Sequence, residues 1–204
     1  MTAPASHYFD EEPTTGSSPR DVQLLLPDVQ LSLATDRGVF GYNRIDVGTK
    51  LLLLEAPAPA ASGNLLDIGC GTGAIALTMA LRSPAALVWA IDVNDRARDL
   101  CRANAARNGI TNVAVCSPDD VPADIGFRTI WSNPAIRIGK PALHAMLLRW
   151  FSRLTPATDG GGEAVLVVHK HLGSDSLHAW LVAEGYATTR LASSAGYRIL
   201  HATH

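Results

Sequence analysis

The sequence predicts a doubly wound α/β sheet of seven strands. It is mostly parallel, closes with an antiparallel C-terminal hairpin and carries a short N-terminal extension. Three observations point there. From Leu65 onward, short apolar runs alternate with helical patterns, which is how parallel sheets with crossover helices are written. The first run ends in a glycine turn, Asp67-Ile68-Gly69-Cys70-Gly71-Thr72-Gly73, that opens an Ala/Leu-rich helix. Acids and an amide then recur just past later apolar runs, at Asp92, at Asp119 and Asp120, and at Asn133. Right-handed crossovers bring such strand ends to one edge, where open α/β sheets bind ligands.

The elements follow in order. Val22 to Leu26 and Val29 to Leu33 read as strands around a Pro27-Asp28 turn, a hairpin suited to cover an edge of the main sheet. Thr35 to Phe40 is a loop in which Phe40 either plugs the core or closes over a ligand. Asp46 can cap a helix whose apolar face is Leu51 to Leu54. An Ala/Pro linker, Pro57 to Ser62, divides an extension (1–56) that covers the site from the main domain (57–204). In the main domain the strands are Leu65–Ile68, Leu87–Ile91, Asn112–Cys116, Phe127–Trp131 and Ala164–Val168, closed by Tyr186–Leu191 and Arg198–Ala202. Helices run from about Thr72 to Leu81, from Asn94 or Asp95 to Arg107, from Pro141 to Leu154 and from Ser174 to Glu184. Asn108-Gly109 stops the second of these.

Composition bounds the function. The chain has 204 residues, 47% of them hydrophobic, enough for one domain with a substantial core. No apolar run reaches the ~20 residues of a membrane span, and the polar, acidic N-terminal stretch has no signal-peptide core, so a cytoplasmic protein is expected. Cys70, Cys101 and Cys116 are odd in number and lack metal spacing, which points to reduced thiols. A net charge of −2 offers no global field for nucleic acid, so any RNA contact rests on a local patch.

The glycine turn is the first chemical signal. Glycine lets the backbone bend and approach a ligand without a Cβ, and the helix N-terminus adds free N–H groups. Asp92, about 20 residues further on, is placed for ribose hydroxyls, with Val93 beside it. The glycines alternate G-x-G-x-G, whereas the dinucleotide fingerprint is G-x-G-x-x-G. The order Asp-Ile-Gly-Cys-Gly-Thr-Gly is similar to the first motif of class I S-adenosylmethionine (SAM) dependent methyltransferases, with a nucleotide-binding dehydrogenase as the other reading.

Ser132-Asn133-Pro134-Ala135-Ile136 is the second signal. An Asn side-chain oxygen and a proline carbonyl can accept both N–H bonds of an exocyclic amine and hold its nitrogen in line with a methyl donor. No metal is needed. His169 and His171 alternate without a third ligand nearby, and Cys70 has no partner marking it as a nucleophile. Trp131 reads as core. Arg149 and Arg153, one helical turn apart, read as a solvated face.

Several segments recur in this order in one family. They are His7-Tyr8-Phe9, Thr35–Phe40, Asp46-Val47-Gly48-Thr49-Lys50-Leu51-Leu52, the glycine turn, Asn133–Lys140 and Val168–Gly173. Nearly the whole chain thereby resembles the small methyltransferase domain related to 16S rRNA guanine-N2 methyltransferases. The resemblance implies a Rossmann-like class I fold, SAM as cofactor with S-adenosylhomocysteine as product, and 16S rRNA or the small ribosomal subunit as partner. It assigns Asp67, Gly69, Cys70, Gly71 and Gly73 to the methionine part, Asp92 and Val93 to the ribose end, and Asp119 or Asp120 to the adenine amine. Asn133 and Pro134 hold the target base, with Asn133 also touching the cofactor. Phe40, Ala135, Ile136, Arg137, Lys140, His169 and Lys170 are expected around the RNA.

The chain departs from that family at Ala135, where a second proline is usual. Alanine loosens the turn and frees an N–H. It is either a tolerated change or a sign of another base position, such as adenine N1, which in 16S rRNA would confer antibiotic resistance. A small molecule or a protein glutamine also suits an Asn-Pro signature. The target nucleotide must lie in a loop or be flipped out, and with no separate RNA-binding domain the choice of substrate falls to segments around the site.

Overall fold

The computed structural model describes residues 16–135 and 138–204. Seven strands form the central sheet, in the order β5-β4-β3-β6-β7-β9-β8. They are β3 (Ser62–Ile68), β4 (Ala85–Ile91), β5 (Val113–Cys116), β6 (Thr129–Ser132), β7 (Glu163–His169), β8 (Ala187–Ser194) and β9 (Tyr197–Thr203). The first five run parallel, and β9 is antiparallel to both β7 and β8. The sheet, its hairpin and the alternation of elements are those expected. Boundaries differ at a few ends. β3 begins at Ser62, inside the expected linker, because Ser62 and Gly63 already pair with Ala85 and Ala86. Phe127 precedes β6, since its amide bonds across to Arg153 instead of to a neighbouring strand.

Strand alternation divides the core into two layers. Leu65, Val88, Trp131, Val165 and Ile199 face one side, where α1 (Val47–Glu55), α2 (Ala74–Arg82) and α3 (Asp95–Arg107) lie. Leu66, Ile130, Leu166 and Leu200 face the other, packed by α4 (Lys140–Phe151) and α5 (Ser174–Ala183). Trp131 is fully buried, as expected of a core residue.

The N-terminal strands β1 (Arg20–Leu25) and β2 (Gln30–Thr35) form the expected hairpin, but it joins neither edge of the main sheet. It docks on α3. The outward edge of β2 would present unpaired amides and carbonyls at Ser32 and Ala34. Asn108 accepts from the Ser32 amide at 3.1 Å and donates to its carbonyl at 3.0 Å. Asn104 does the same for Ala34 at 2.7 and 2.9 Å, and donates to Thr72 O at 2.9 Å. Two residues four apart on a helix sit at nearly the spacing of two residues two apart on a strand, so two asparagines finish the edge as a neighbouring strand would. Val22, Leu24, Leu31 and Leu33 join the same apolar cluster as Leu65 and Ile75.

Register decides where the site forms. Ile68 pairs with Ile91 and with Ser132, and Ile91 pairs with Cys116. Four parallel strands therefore end level, and the next residues, Gly69, Asp92, Ser117 and Asn133, fall along one edge.

Candidate active site

A cavity of about 1000 Å³ opens at that edge. One end is walled by Gly69, Gly71, Ile91, Asp92, Val93, Ala97 and Pro118, and the other by Asp46, Asn133, Pro134, Ala135, His169 and Tyr197. Val39, Phe40, Ile138 and Leu172 also line it, the last three of them partly exposed.

The glycine turn is held from the neighbouring strand. Gly69 N and Cys70 N both donate to Ile91 O at 2.9 Å, and Gly71 N donates to Asp92 Oδ2 at 2.9 Å. Asp92 Oδ1 accepts from Asn94 N at 3.0 Å. Each carboxylate oxygen keeps a lone pair for a ligand hydroxyl. Burial raises the Asp92 pKa, against the pull of those amides. Gly69 adopts φ +77°, and a Cβ there would meet no protein atom within 4 Å, only the cavity. This open cradle, ending at a helix N-terminus and beside a ribose-placed acid, fits an adenosine cofactor with a charged methionine tail.

Asp67 lies beneath the turn and not in the cavity wall. Alternation puts it on the Leu65 face, under the start of α2. Gly73 caps that helix without a side chain, and Asp67 Oδ2 takes up the free Ala76 amide at 2.9 Å. Its Oδ1 is buried with no partner. Burial, and secondarily the Asp92 charge, push its pKa up to about 8. Cys70 and Gly73 are also below the turn. A Cβ on Gly73 would stand 2.9 Å from Cys101 Sγ, so that glycine serves close packing. The Cys70 thiol pKa is raised by its contact with Cys101 and by burial.

At the far end, Ser132 Oγ donates to Ile68 O at 2.7 Å and ties β6 to β3 just before Asn133. The Asn133 amide nitrogen donates to Asp46 Oδ2 at 2.9 Å and to Thr49 Oγ1 at 3.0 Å. Asp46 is the N-cap of α1, as expected, and the same Oδ2 accepts from Thr49 N at 3.0 Å. A carboxylate only accepts, so the nitrogen of Asn133 must face it. Both amide hydrogens are thereby used, and Oδ1 is the atom left for a ligand. Tyr197 stands over this cluster, its ring edge-on to His169 at 4.9 Å. Partial burial and the Asp46 carboxylate raise its phenol pKa. A Cβ on Gly48 would come within 2.7 Å of the Tyr197 ring, so the start of α1 is glycine where tyrosine packs.

Other expected site residues stand elsewhere. Asp119 and Asp120 are exposed and do not line the cavity; Asp119 pairs with Arg149 at 2.8 Å, and Asp120 accepts from Ser117 Oγ at 2.8 Å. Arg149 is exposed, as expected of a solvated face, and also lines the cavity, whereas Arg153 is half-buried. Arg149 donates to Pro118 O, and Arg153 to Ile125 O and Pro122 O, holding the loop after β5. Lys140 and Lys170 are exposed beside the opening, with Lys140 Nζ donating to Ser176 Oγ at 3.2 Å. Ile136, Arg137 and the His7-Tyr8-Phe9 segment lie outside the described residues. The sequence assigns no site role to Asp46 or Tyr197: Asp46 reads as a helix cap at the head of a family-shared segment, and Tyr197 falls just outside the last expected strand, whereas it opens β9.

With this geometry in view, the methyltransferase small domain model matches residues 30–201. The chain belongs to the methyltransferase small domain family. It is a class I methyltransferase, of the fold whose methyl donor is SAM. An uncharacterised protein of Bacillus subtilis is 34% identical over 84% of this chain and 85% of its own. Ribosomal RNA small subunit methyltransferase C of Aeromonas hydrophila is 32% identical over 71% of this chain, but that match spans 42% of the Aeromonas protein. Among solved structures, a T. thermophilus 16S rRNA N2 methyltransferase in complex with AdoMet and guanosine superposes with a TM-score of 0.75 at 21% identity. That match covers 94% of this chain and 52% of the T. thermophilus one. The family thus spans proteins about twice this length. Among the described residues, no helix is long and apolar enough to cross a membrane.

Proposed function

We propose that this chain methylates an exocyclic purine amine of small-subunit ribosomal RNA, with guanine N2 as its target. The observation that carries this is the Asn133 amide, whose nitrogen is committed to Asp46 and Thr49 and whose oxygen is left in the cavity as an acceptor. An amine N–H needs an acceptor there. The ring nitrogen of adenine N1 offers a lone pair instead, so the same geometry disfavours the resistance-type reading of Ala135. Several curated relatives, though not the uncharacterised Bacillus subtilis one, are named as small-subunit rRNA methyltransferases, which supports the choice of RNA.

The cofactor supplies an electrophilic sulfonium methyl, so the protein's work is alignment and exclusion of water. Gly69 and Gly71 admit the methionine end, and Asp92 holds the ribose hydroxyls. Asn133 Oδ1 and the Pro134 carbonyl accept the two amine hydrogens, fix the nitrogen lone pair toward the methyl and stabilise the positive charge that develops on nitrogen. Val39 and Phe40, from the N-terminal 1–56 segment, cover the reacting groups. Arg37, Arg44 and Lys170 are exposed within two residues of cavity-lining positions, where they are placed to meet phosphates.

The test is transfer of labelled methyl from SAM to small ribosomal subunits, to free 16S rRNA and to a metabolite and peptide extract, side by side. Label in the rRNA is expected. Label confined to metabolites or to protein glutamine overturns the reading.

A further inference from the structure

We propose that Asp46 is a positioning residue that sets the polarity of the Asn133 amide, and that the site thereby selects a hydrogen-bearing amine over a bare ring nitrogen. The inference rests on the amine-methylation reading above and goes further, to a residue on a different element that touches neither reacting atom in that reading.

An asparagine amide can present its oxygen or its nitrogen with little change of shape. Unrestrained, Asn133 would offer an acceptor or a donor to the cavity. Thr49 Oγ1, at 3.0 Å, does not decide between them, because a hydroxyl both donates and accepts. Asp46 decides, because its Oδ2, at 2.9 Å, only accepts. The carboxylate is itself held in place. Its Oδ2 caps Thr49 N, and Tyr197 packs against the helix start so closely that residue 48 has room for no Cβ. The α1 cap and the tip of β6 are 87 residues apart in sequence and meet at this one oxygen. A helix cap alone would not need a partner on the catalytic loop.

The test exchanges donor and acceptor. Serine caps helices as well as aspartate does, so Asp46→Ser is expected to fold, which a thermal melt verifies. Its hydroxyl accepts from Thr49 N but, like that of Thr49, also donates, so it no longer dictates which way Asn133 turns. The expected result is a fall in kcat on rRNA of about 10²-fold, the scale of a misplaced reacting group, with KM for SAM unchanged. Asn133→Asp alone sets two carboxylates against each other and is expected to be at least as impaired. The double variant Asp46→Ser/Asn133→Asp faces the new carboxylate with hydroxyl donors and still shows the substrate an acceptor, so kcat is expected to recover at least tenfold over either single variant. A purely structural role for Asp46 gives no such recovery. Wild-type kcat in Asp46→Ser, or a double variant no better than the singles while the wild type methylates an amine, overturns this inference alone. Methylation of a ring nitrogen by the wild type overturns it together with the proposed function.

Discussion

Neutralising Asp67 should flatten the pH dependence of stability, by an amount that follows from its surroundings. The carboxyl is fully buried, one oxygen holds the Ala76 amide and the other has no partner. Burial pushes its pKa up to about 8 from 3.8. Between those values the folded chain binds more protons than the unfolded chain, so this group stabilises the fold in acid and loses that contribution as pH rises to about 8. Each unit costs about 1.4 kcal/mol, so between pH 5 and 8 the group alone removes roughly 4 kcal/mol. Asp67→Asn keeps the shape without the titration. Relative to wild type, its unfolding free energy should rise by roughly that amount across the range, while groups that do not feel the Asp67 charge cancel in the difference. Urea unfolding followed by the fluorescence of the buried Trp131 and Trp150 reads it directly. A difference between the two proteins that is equal at pH 5 and pH 8 would refute a protonated Asp67 beneath the turn.

The two outer glycines of the turn should separate in their effects. Gly73→Ala, at φ +92° and facing Cys101 Sγ at 2.9 Å, should destabilise by about 2–3 kcal/mol in a thermal or urea melt. Gly69→Ala meets no protein atom, so it should cost about 1–2 kcal/mol of stability yet weaken SAM binding by calorimetry at least tenfold. Asn133→Ala removes the amine acceptor and should lower kcat about 10²- to 10³-fold, far more than it weakens SAM binding. Asn104→Ala leaves the Ala34 amide, the Ala34 carbonyl and the Thr72 carbonyl without that partner. A loss of roughly 2–4 kcal/mol is expected in the same melts.

The sheet was legible because its signals are local. Apolar runs, the glycine turn and the caps at Asp46 and Asn94 each depend on neighbours in sequence, and each stands where expected. Gly69, Gly71, Asp92, Val93, Asn133 and Pro134 converge because strand ends in register leave no other place for them. What was hidden depends on distant pairings. The family resemblance assigns Asp67 to the methionine part of the cofactor, but strand alternation turns it to the Leu65 face. Asp119 and Asp120 follow a strand end like the others, yet Arg149 on α4 and Ser117 take them up. The hairpin's place on α3 depends on Asn104 and Asn108, which in sequence are two ordinary polar residues of a helix. Asp46 carried a visible cap signal, and a cap explains an aspartate so fully that nothing local hinted at Asn133.

The most direct measurement is the identity of the methylated nucleoside. Small ribosomal subunits lacking the modification are incubated with the chain and SAM, and the 16S rRNA is digested and resolved by mass spectrometry. N2-methylguanosine, present with the wild type and absent with Asn133→Ala, is the expected result. N1-methyladenosine, or no methylated nucleoside above the level of Asn133→Ala, would contradict an acceptor-lined site built for an amine.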